Sequence, residues 1–549
     1  MIIRKLILLT TINPTRAVIF RRHVHVITFQ QQLRIFHMSE IPVKHLLLGN
    51  FRRCTTVALA SYSTFNKNLL ENKINSGVKK NFNYTTMDPF LEMCLAQPDT
   101  TDNLNDAIGE NYTDDIKLNV NSLAQKHHYG MTRRRYKDIR QWKSIEQEST
   151  TINVDTDFIL RILSYNILAQ NLLETHSYIY KHHNFDALDW NIRKVLVQQE
   201  IIEAGANVIC IQEMQKAHLH EFLVPFLKDG YDYLYKKRTN DTEDGLLLLY
   251  RNNQLKLEDY EFVEYHQTSS DILNRDNVGI VVKFSLKDNP NTYVVISTTH
   301  LLYNPKRNDV RLAQTQILFS ELERIAFNKN TKNGPKYHPI ILCGDFNLQP
   351  FTGVYKFITE GSFEYSGKGR SLEASGFRRL SNSLIPSSLC ITDNCQHFNV
   401  LAKRLRGFGT NKVMLKRSES GSDKSKKKND LDSCSANEEV DINSTQYQKI
   451  KIIDGQYAAF ASGAITHPFK LNSVYKHVNH KGEMEATTHQ DEWITVDYIF
   501  FTDVEPLNHY ALPTVSECQT LPLIPNFVVG SDHLCLGATF KLKKKNSTR

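Results

Sequence analysis

Apolar residues fall into short dense runs and longer periodic runs, and the two kinds alternate from about residue 156 onward. FILRILSY (158–165), VICIQE (208–213), GLLLLY (245–250), VGIVVKF (278–284), YVVISTTH (293–300), PIILCGDFN (339–347), TVDYIFF (495–501) and CLGATFKL (535–542) have strand length and little polar interruption. Runs of this kind belong to strands covered on both faces. Between them, Leu188, Ile192, Val195, Leu196, Gln199 and Ile202 recur at helical spacing, with Gly205 placed to stop the helix. A second helix is predicted over 309–327 (DVRLAQTQILFSELERIAF). Doubly buried strands need cover on both sides. The pattern therefore predicts an α/β fold, a four-layer α/β sandwich in which two packed mixed β-sheets are flanked by helices.

Most of these strands end in an acid, an amide or an imidazole. Asn166 follows SY, Glu213 ends VICIQE, His300 ends STTH, and CGDFN carries Asp345 and Asn347. TVDY carries Asp497, and Asp532 and His533 stand directly before the last strand. Such groups are costly to bury without partners, and strand ends on one edge of a sandwich converge, so a shared cleft is predicted. Glu213, Asn166 and Asp532 offer hard oxygen donors and no thiolate, which suits Mg2+, with Mn2+ as the alternative, rather than zinc. Asp345 and Asn347 are two apart on an extended segment and share a side; one can take a proton from water while the other donates to a phosphate oxygen. His533, with Asp497 to fix its tautomer and favour its charged form, would face developing negative charge. The set is complete for metal-assisted hydrolysis of a phosphate ester. Cys343 and Cys535 adjoin this set, but within apolar strands they read as small buried side chains.

Composition changes the picture mainly at the amino end. The 549 residues carry a net charge of +8, yet no acid precedes Glu40, while Arg4, Lys5, Arg16, Arg21, Arg22 and Arg34 are all basic. Residues 1–60 have the makeup of a mitochondrial presequence, with a cytoplasmic or nuclear location as the alternative, and Met38 is a second candidate start. Residues 61–155 read as a low-complexity linker, within which YGMTRRRYKDIRQW (129–142) mixes Arg and aromatic residues as an RNA-contacting arm or an edge-packed helix would. A catalytic domain is expected over 156–545, interrupted by a Ser-, Asn- and Lys-rich insert at about 401–450. Nine scattered cysteines without a CxxC pair argue against a disulfide framework or a zinc site. No run approaches 18 apolar residues, so stable membrane insertion is not expected.

YNILAQ, IQE, THLLYNP, CGDFN, TVDYIF and SDH, in this order, resemble the endonuclease/exonuclease/phosphatase superfamily, and within it the RNA-acting, deadenylase-like branch. ETHSYIY, ALDWNIR, YKKRTNDTEDG, RDNVG and THLLYNPKRND further resemble the angel family, over about residues 156–543. The resemblance implies Glu213 as main metal ligand, with Asn166 near metal and phosphate and Asp532 completing the site directly or through water. It implies that Asp345 activates the attacking water, that Asn347 contacts the phosphate, that His533, held by Asp497, stabilises the pentavalent transition state, and that His300 touches the scissile phosphate. Asn277, Pro305, Lys306 and Arg307 are the implied substrate contacts, each with a bland reading as strand cap, turn or solvated helix start. The activity implied is a Mg-dependent phosphoesterase at RNA 3′ ends, as a 2′,3′-cyclic phosphatase or a 3′–5′ exoribonuclease. Its partner is RNA, with RNA-processing or translation factors as further partners. One stretch departs from the deadenylase pattern: EATTHQDEWITVDY carries Thr487 and Glu492 where those enzymes place an Asn and an aromatic that grip adenine, and Trp493 sits one position off. The competing readings are a non-catalytic RNA or translation-factor adaptor, and a relative that hydrolyses a phospholipid or abasic DNA.

Overall fold

The structure, a computed structural model, describes residues 130–145, 152–374, 376, 378–407, 448–453, 455–479 and 481–546. The strands that build the two large sheets, in chain order, are β1 (Trp142–Ser144), β2 (Asp157–Asn166), β3 (Val208–Gln215), β4 (Tyr231–Lys237), β5 (Asp244–Arg251), β6 (Leu255–Glu264), β7 (Val278–Leu286), β8 (Tyr293–His300), β9 (Ile340–Asp345), β10 (Asn472–Ser473), β11 (Asp497–Thr502), β12 (Glu505–Tyr510) and β13 (Leu536–Lys543). Among the described residues, one sheet runs β1-β12-β13-β2-β3-β5-β4 and the other β10-β11-β9-β8-β7-β6. Both are mixed: β2 and β3 pair in parallel, as do β8 and β9, and the remaining neighbours are antiparallel.

Period-two alternation sorts each strand's apolar residues between two cores. Leu160, Ile162, Val208, Cys210, Leu246 and Leu248 of the first sheet meet Ile280, Val282, Val294, Ile296, Ile341 and Ile499 of the second in a core between the sheets. The intervening residues face outward. Leu163, Tyr165, Ile209, Ile211, Leu247 and Leu249 pack under helices α2 (Trp190–Ala204) and α3 (Leu219–Lys228), which follow α1 (Gly130–Ile139) in the chain. Val281, Val295, Ile340, Leu342, Tyr498 and Phe500 pack under α4 (Asn308–Ala326) and α5 (Gly353–Glu360). The four layers expected from the sequence are present. As predicted, α2 ends at Gly205, whose φ of +58° is a left-handed cap that other residues adopt less readily.

Two boundaries differ from expectation. The first sheet recruits residues ahead of 156: β1 pairs with β12, the Tyr136 ring enters the inter-sheet core, and the buried Arg140 guanidinium donates to the carbonyls of Ala511 and Cys535. Of the two readings for 129–142, the edge-packed helix is the one formed, anchored at Tyr136 and Arg140 and followed by Trp142 stacked on Tyr510; the sequence hides it because a few side chains anchor a polar segment. The insert also has ordered stems. Helix α6 (Phe398–Leu405) packs on a hairpin, Gln448–Ile453 with Gln456–Phe460, and Arg404 reaches Glu323 of α4 at 2.8 Å. Residues 1–60 and 408–447 lie outside the described residues. Among the described residues no helix is long and apolar enough to cross a membrane.

Candidate active site

The register of three neighbouring strands lines up the expected catalytic residues. β9 lies between β8 and β11, and its last residue, Asp345, is paired with His300 on one side and Asp497 on the other. The preceding residue has to be glycine. Gly344 has φ +139°, and a Cβ there would stand 2.0 Å from the Thr299 carbonyl oxygen, so a side chain would force β8 and β9 apart and separate Asp345 from His300. Asn347, at φ +53°, uses the left-handed conformation that Asn tolerates; its amide N–H donates to Asp345 Oδ1 at 2.9 Å and its Nδ2 to the Leu301 carbonyl at 3.0 Å.

The first sheet delivers the facing groups. Asn166 ends β2 and is paired with Gln212, so the next residue on β3, Glu213, projects at the same level. Glu213 falls in a bulge, where the β3–β5 register shifts between Ile211 and Met214, and its φ is +63°. Bulges re-aim side chains beside active sites, and a Glu held in the left-handed region is strain that the surroundings must enforce. Here the Ala169 amide donates to Glu213 Oε2 at 3.0 Å and Asn166 Nδ2 donates to Oε1 at 2.9 Å. Asn166 Nδ2 also donates to Asp345 Oδ2 at 3.0 Å, so one amide joins the carboxylates of the two sheets.

His533 completes the centre. Its Nδ1 lies 2.9 Å from Asp497 Oδ2 and its Nε2 3.8 Å from Asp345 Oδ2, while His300 Nε2 approaches the same oxygen at 3.6 Å. All four side chains are buried. Burial, reinforced by the Asp497 charge, pushes the Asp345 carboxyl up to about 8. Burial would lower His533, but the Asp497 carboxylate and its hydrogen bond more than offset that, and His533 is held well above the usual imidazole range. His300 goes the other way, down to about 3, through burial and then the nearby Arg238 charge. One imidazole is thus kept charged and the other neutral.

The ligating atoms of Asp345, Asp497 and His533 all lie within 4.8 Å of one another, close enough to hold a cation between them. Among the three residues expected as metal ligands, Glu213 and Asn166 stand beside this group. Asp532 lies to one side, where its Oδ2 accepts from the Tyr180 hydroxyl at 2.7 Å. Neither neighbouring thiol faces the cleft: Cys343 belongs to the inter-sheet core and Cys535 to the core under α2. The donors are therefore oxygens and imidazole without thiolate, a set that fits a divalent cation.

The expected substrate contacts are placed less simply. Asn277 is buried and its Oδ1 accepts from Gln314 Nε2 at 3.1 Å, while Gln314 Oε1 accepts from the Leu302 amide, which ties Asn277 to the loop after His300. Pro305 and Lys306 are exposed on that loop. The Arg307 fork closes on Asp309 at 2.8 and 3.0 Å, so its charge is already paired within the chain. Arg311, one turn further along α4, is buried and directs its donors to the carbonyls of residues 302–305. Trp493 is likewise turned into the inter-sheet core. Thr487 Oγ1 accepts from the amides of Val496 and Asp497, so this position holds the Asp497 backbone.

Four neighbours escaped the sequence reading. Arg193 is fully buried in α2 and donates to the carbonyls of Ile167, Leu168 and Gly530, joining the loops that carry Asn166 and Asp532. Tyr180 holds Asp532. Arg238 and Asp244 pair beside His300, with Nε to Oδ1 at 3.1 Å. Asp244 carried the same signal as the others, an acid at the end of an apolar strand, but at the strand's beginning. Arg193 gave no signal, because an arginine in a helix normally faces water.

The cleft of acids and histidines lies at one edge of a four-layer sandwich, and residues 163–533 match the Endonuclease/Exonuclease/phosphatase family; the chain belongs to that family of phosphoesterases, whose enzymes generally depend on divalent metals. It is similar to protein angel homolog 2 of Mus musculus, 30% identical over 427 residues that cover 72% of each chain. Protein angel homolog 1 of Homo sapiens is 32% identical over 438 residues, 70% of this chain and 63% of that one. Among solved structures, the chain resembles the crystal structure of ANGEL2, a 2′,3′-cyclic phosphatase, in complex with adenosine-2′,3′-vanadate: 30% identity, TM-score 0.56, covering 73% of this chain and 98% of that one.

Proposed function

We propose that the chain is a magnesium-dependent phosphoesterase that acts on RNA 3′ ends, opening and removing a terminal 2′,3′-cyclic phosphate. The observation that carries this reading is the Asp345 carboxylate, shared by His533, His300 and Asn166 in a chain that aligns with nearly the whole of a 2′,3′-cyclic phosphatase. Glu213 and Asn166 would hold the cation, with Asp532 behind them; a bound Mg2+ would neutralise phosphate oxygens and acidify water. Asp345, its other oxygen fixed by the Asn347 amide, takes a proton from the attacking water. His533, charged through Asp497, faces the negative charge that develops on phosphorus oxygens, and neutral His300 donates a hydrogen bond to the scissile phosphate.

The second reading, 3′–5′ removal of nucleotides, uses the same residues. The inward turn of Trp493 and the structural use of Thr487 favour the first, because the aromatic of that segment is committed to the core. The two are separated by incubating the protein with Mg2+ and two oligoribonucleotides, one ending in cyclic phosphate and one in a plain 3′-hydroxyl A tract. End-group conversion without shortening is expected; shortened ladders without conversion would sink the cyclic phosphatase reading. The acid-free composition of residues 1–39 supports mitochondrial delivery as a further part of the proposal, and a reporter fused to residues 1–60 that stays diffuse in the cytosol would contradict it.

A further inference from the structure

Two tyrosines stand exposed beside the cleft, whereas about half of the aromatic rings among the described residues are buried. Tyr178 is 69% and Tyr303 57% exposed. Tyr303 lies three residues beyond His300, and its hydroxyl donates to Gln490 Oε1 at 2.7 Å. The neighbour of Gln490, His489, donates its amide to the Asp532 carbonyl at 3.1 Å. Tyr178 lies two residues before Tyr180, whose hydroxyl binds the Asp532 carboxylate. Asp532 is therefore the common anchor of both loops, and it precedes His533 directly. Partial burial, and then the charges of Asp491, Tyr178 and Asp532, hold the Tyr303 hydroxyl above the usual range, so Tyr178 lies within electrostatic reach of Tyr303.

A tyrosine presents a large rigid face for stacking, and a ring pinned by its hydroxyl has already lost the freedom that stacking would cost. The loop that carries Tyr303 is fixed from beneath by Arg311, which donates to the carbonyls of Leu302, Asn304 and Pro305, so the ring has a rigid support. The cations nearby on that loop are Lys306, exposed, and Arg307, already paired with Asp309. The acids Asp491 and Asp532 act on Tyr303, and the exposed cations are one lysine on each loop, Lys306 and Lys181; this edge therefore offers ring surface more than positive charge, a combination that favours the π-face of a base over the phosphate backbone.

We propose that Tyr178 and Tyr303 form a stacking platform at the Asp532 edge of the cleft for a base within the last three nucleotides of a single-stranded RNA whose 3′ end enters the site. This rests on the RNA 3′-end reading above and adds to it where the base is held. Stacking is tolerant of base identity, so the platform accepts any of the four bases and requires only that a base be present.

The test is equilibrium binding of the full chain to fluorescein-labelled decaribonucleotides, read by anisotropy in EDTA so that no turnover intervenes. The set comprises the intact decamer and three versions with an abasic residue at the last, second-last or third-last position. Wild type is expected to bind one abasic version about tenfold more weakly than the intact decamer. Tyr303→Ala is expected to weaken the intact decamer by a similar factor and to abolish the difference between intact and abasic RNA; Tyr178→Ala acts in the same direction. Tyr303→Phe, which keeps the ring and loses the bond to Gln490, is expected to retain most of the discrimination. The platform is overturned if no abasic position weakens wild-type binding, or if Tyr303→Phe loses as much as Tyr303→Ala. Because binding is measured without turnover, failure of the end-group assay with base-dependent binding intact would sink only the proposed reaction, and the reverse outcome would sink only the platform.

Discussion

The two walls of the cleft are built from different sheets and do different work. The wall from the second sheet, His300, Asp345 and Asp497 with His533 laid against it, is a row of buried titratable groups whose protonation is set by one another. The wall from the first sheet, Asn166 and Glu213, is set by geometry: a bulge, a left-handed backbone and donors aimed at both Glu213 oxygens. One wall can move and hold protons; the other can only present oxygen atoms. Among the described residues Asn166 is the hydrogen-bonded link between Glu213 and Asp345, and it lets the two kinds of chemistry meet at one phosphate.

If that division is right, variants of the two walls fail differently. His533→Ala and Asp345→Asn should each lower kcat/KM for cyclic-phosphate RNA by about 10^2- to 10^4-fold; for His533→Ala the Mg2+ concentration that gives half-maximal rate should change little. Asp497→Asn should lose less, and should move the alkaline limb of the pH–rate profile to lower pH, because the carboxylate that keeps His533 protonated is gone. Glu213→Gln should instead raise the half-saturating Mg2+ on the order of 10- to 100-fold, with part of the rate returning at high Mg2+ or with Mn2+. Steady-state kinetics across a metal titration read both effects. A Glu213 variant that no metal concentration rescues, or a His533 variant that it does, would erase the distinction between the walls.

How much of this was readable beforehand follows the same division. The proton-handling wall was legible because its residues terminate apolar runs, and the strand order then forces neighbours such as Asp345 and His300 together. The geometry behind Glu213 was not: VICIQE reads as an ordinary strand, and the bulge arises from its pairing with β5. Arg193 was invisible for a related reason, since its partner Gly530 lies 337 residues further on. The helix over 309–327 was found to within a residue, but its complete burial was not, because the cover comes from the segment around the insert, where His397 and Arg404 pair with Glu321 and Glu323. Local pattern gives elements and strand-end chemistry; contacts distant in sequence decide which polar side chains are buried.

A smaller effect probes the pair at the far end of the first-sheet wall. Arg238→Ala leaves the Asp244 carboxylate, 1% exposed, without its cation. Removing one partner of a buried pair strands the other charge, so a loss of roughly 1–3 kcal/mol in stability is expected, read as a fall of several degrees in Tm by calorimetry. Asp244→Asn in the same background should recover most of that loss, since a neutral amide needs no counter-ion; if it does not, the pair is not what stabilises this corner.

The smallest effect concerns the metal-free protein and its pH dependence. Asp345 titrates near 8 in the fold against an ordinary carboxylate value near 4, so its contribution to stability is fully present below about 4 and is lost as pH rises through 8. His533 is also raised, so its contribution is present below about 6.5 and fades as pH rises through its folded value. Both act in the same direction, and between pH 6 and 9 the metal-free chain should become less stable. A cation competes with the proton for this cluster, so added Mg2+ should stabilise little at pH 6 and by on the order of a few degrees in Tm at pH 8.5. Thermal melts in EDTA and in Mg2+ across that range measure the difference directly. His300, held neutral near 3, contributes in the opposite sense only below about pH 6.5 and stays outside this window. A Mg2+ shift that is flat with pH would mean that the cation does not compete with the Asp345 proton, and the two walls would then not share a ligand.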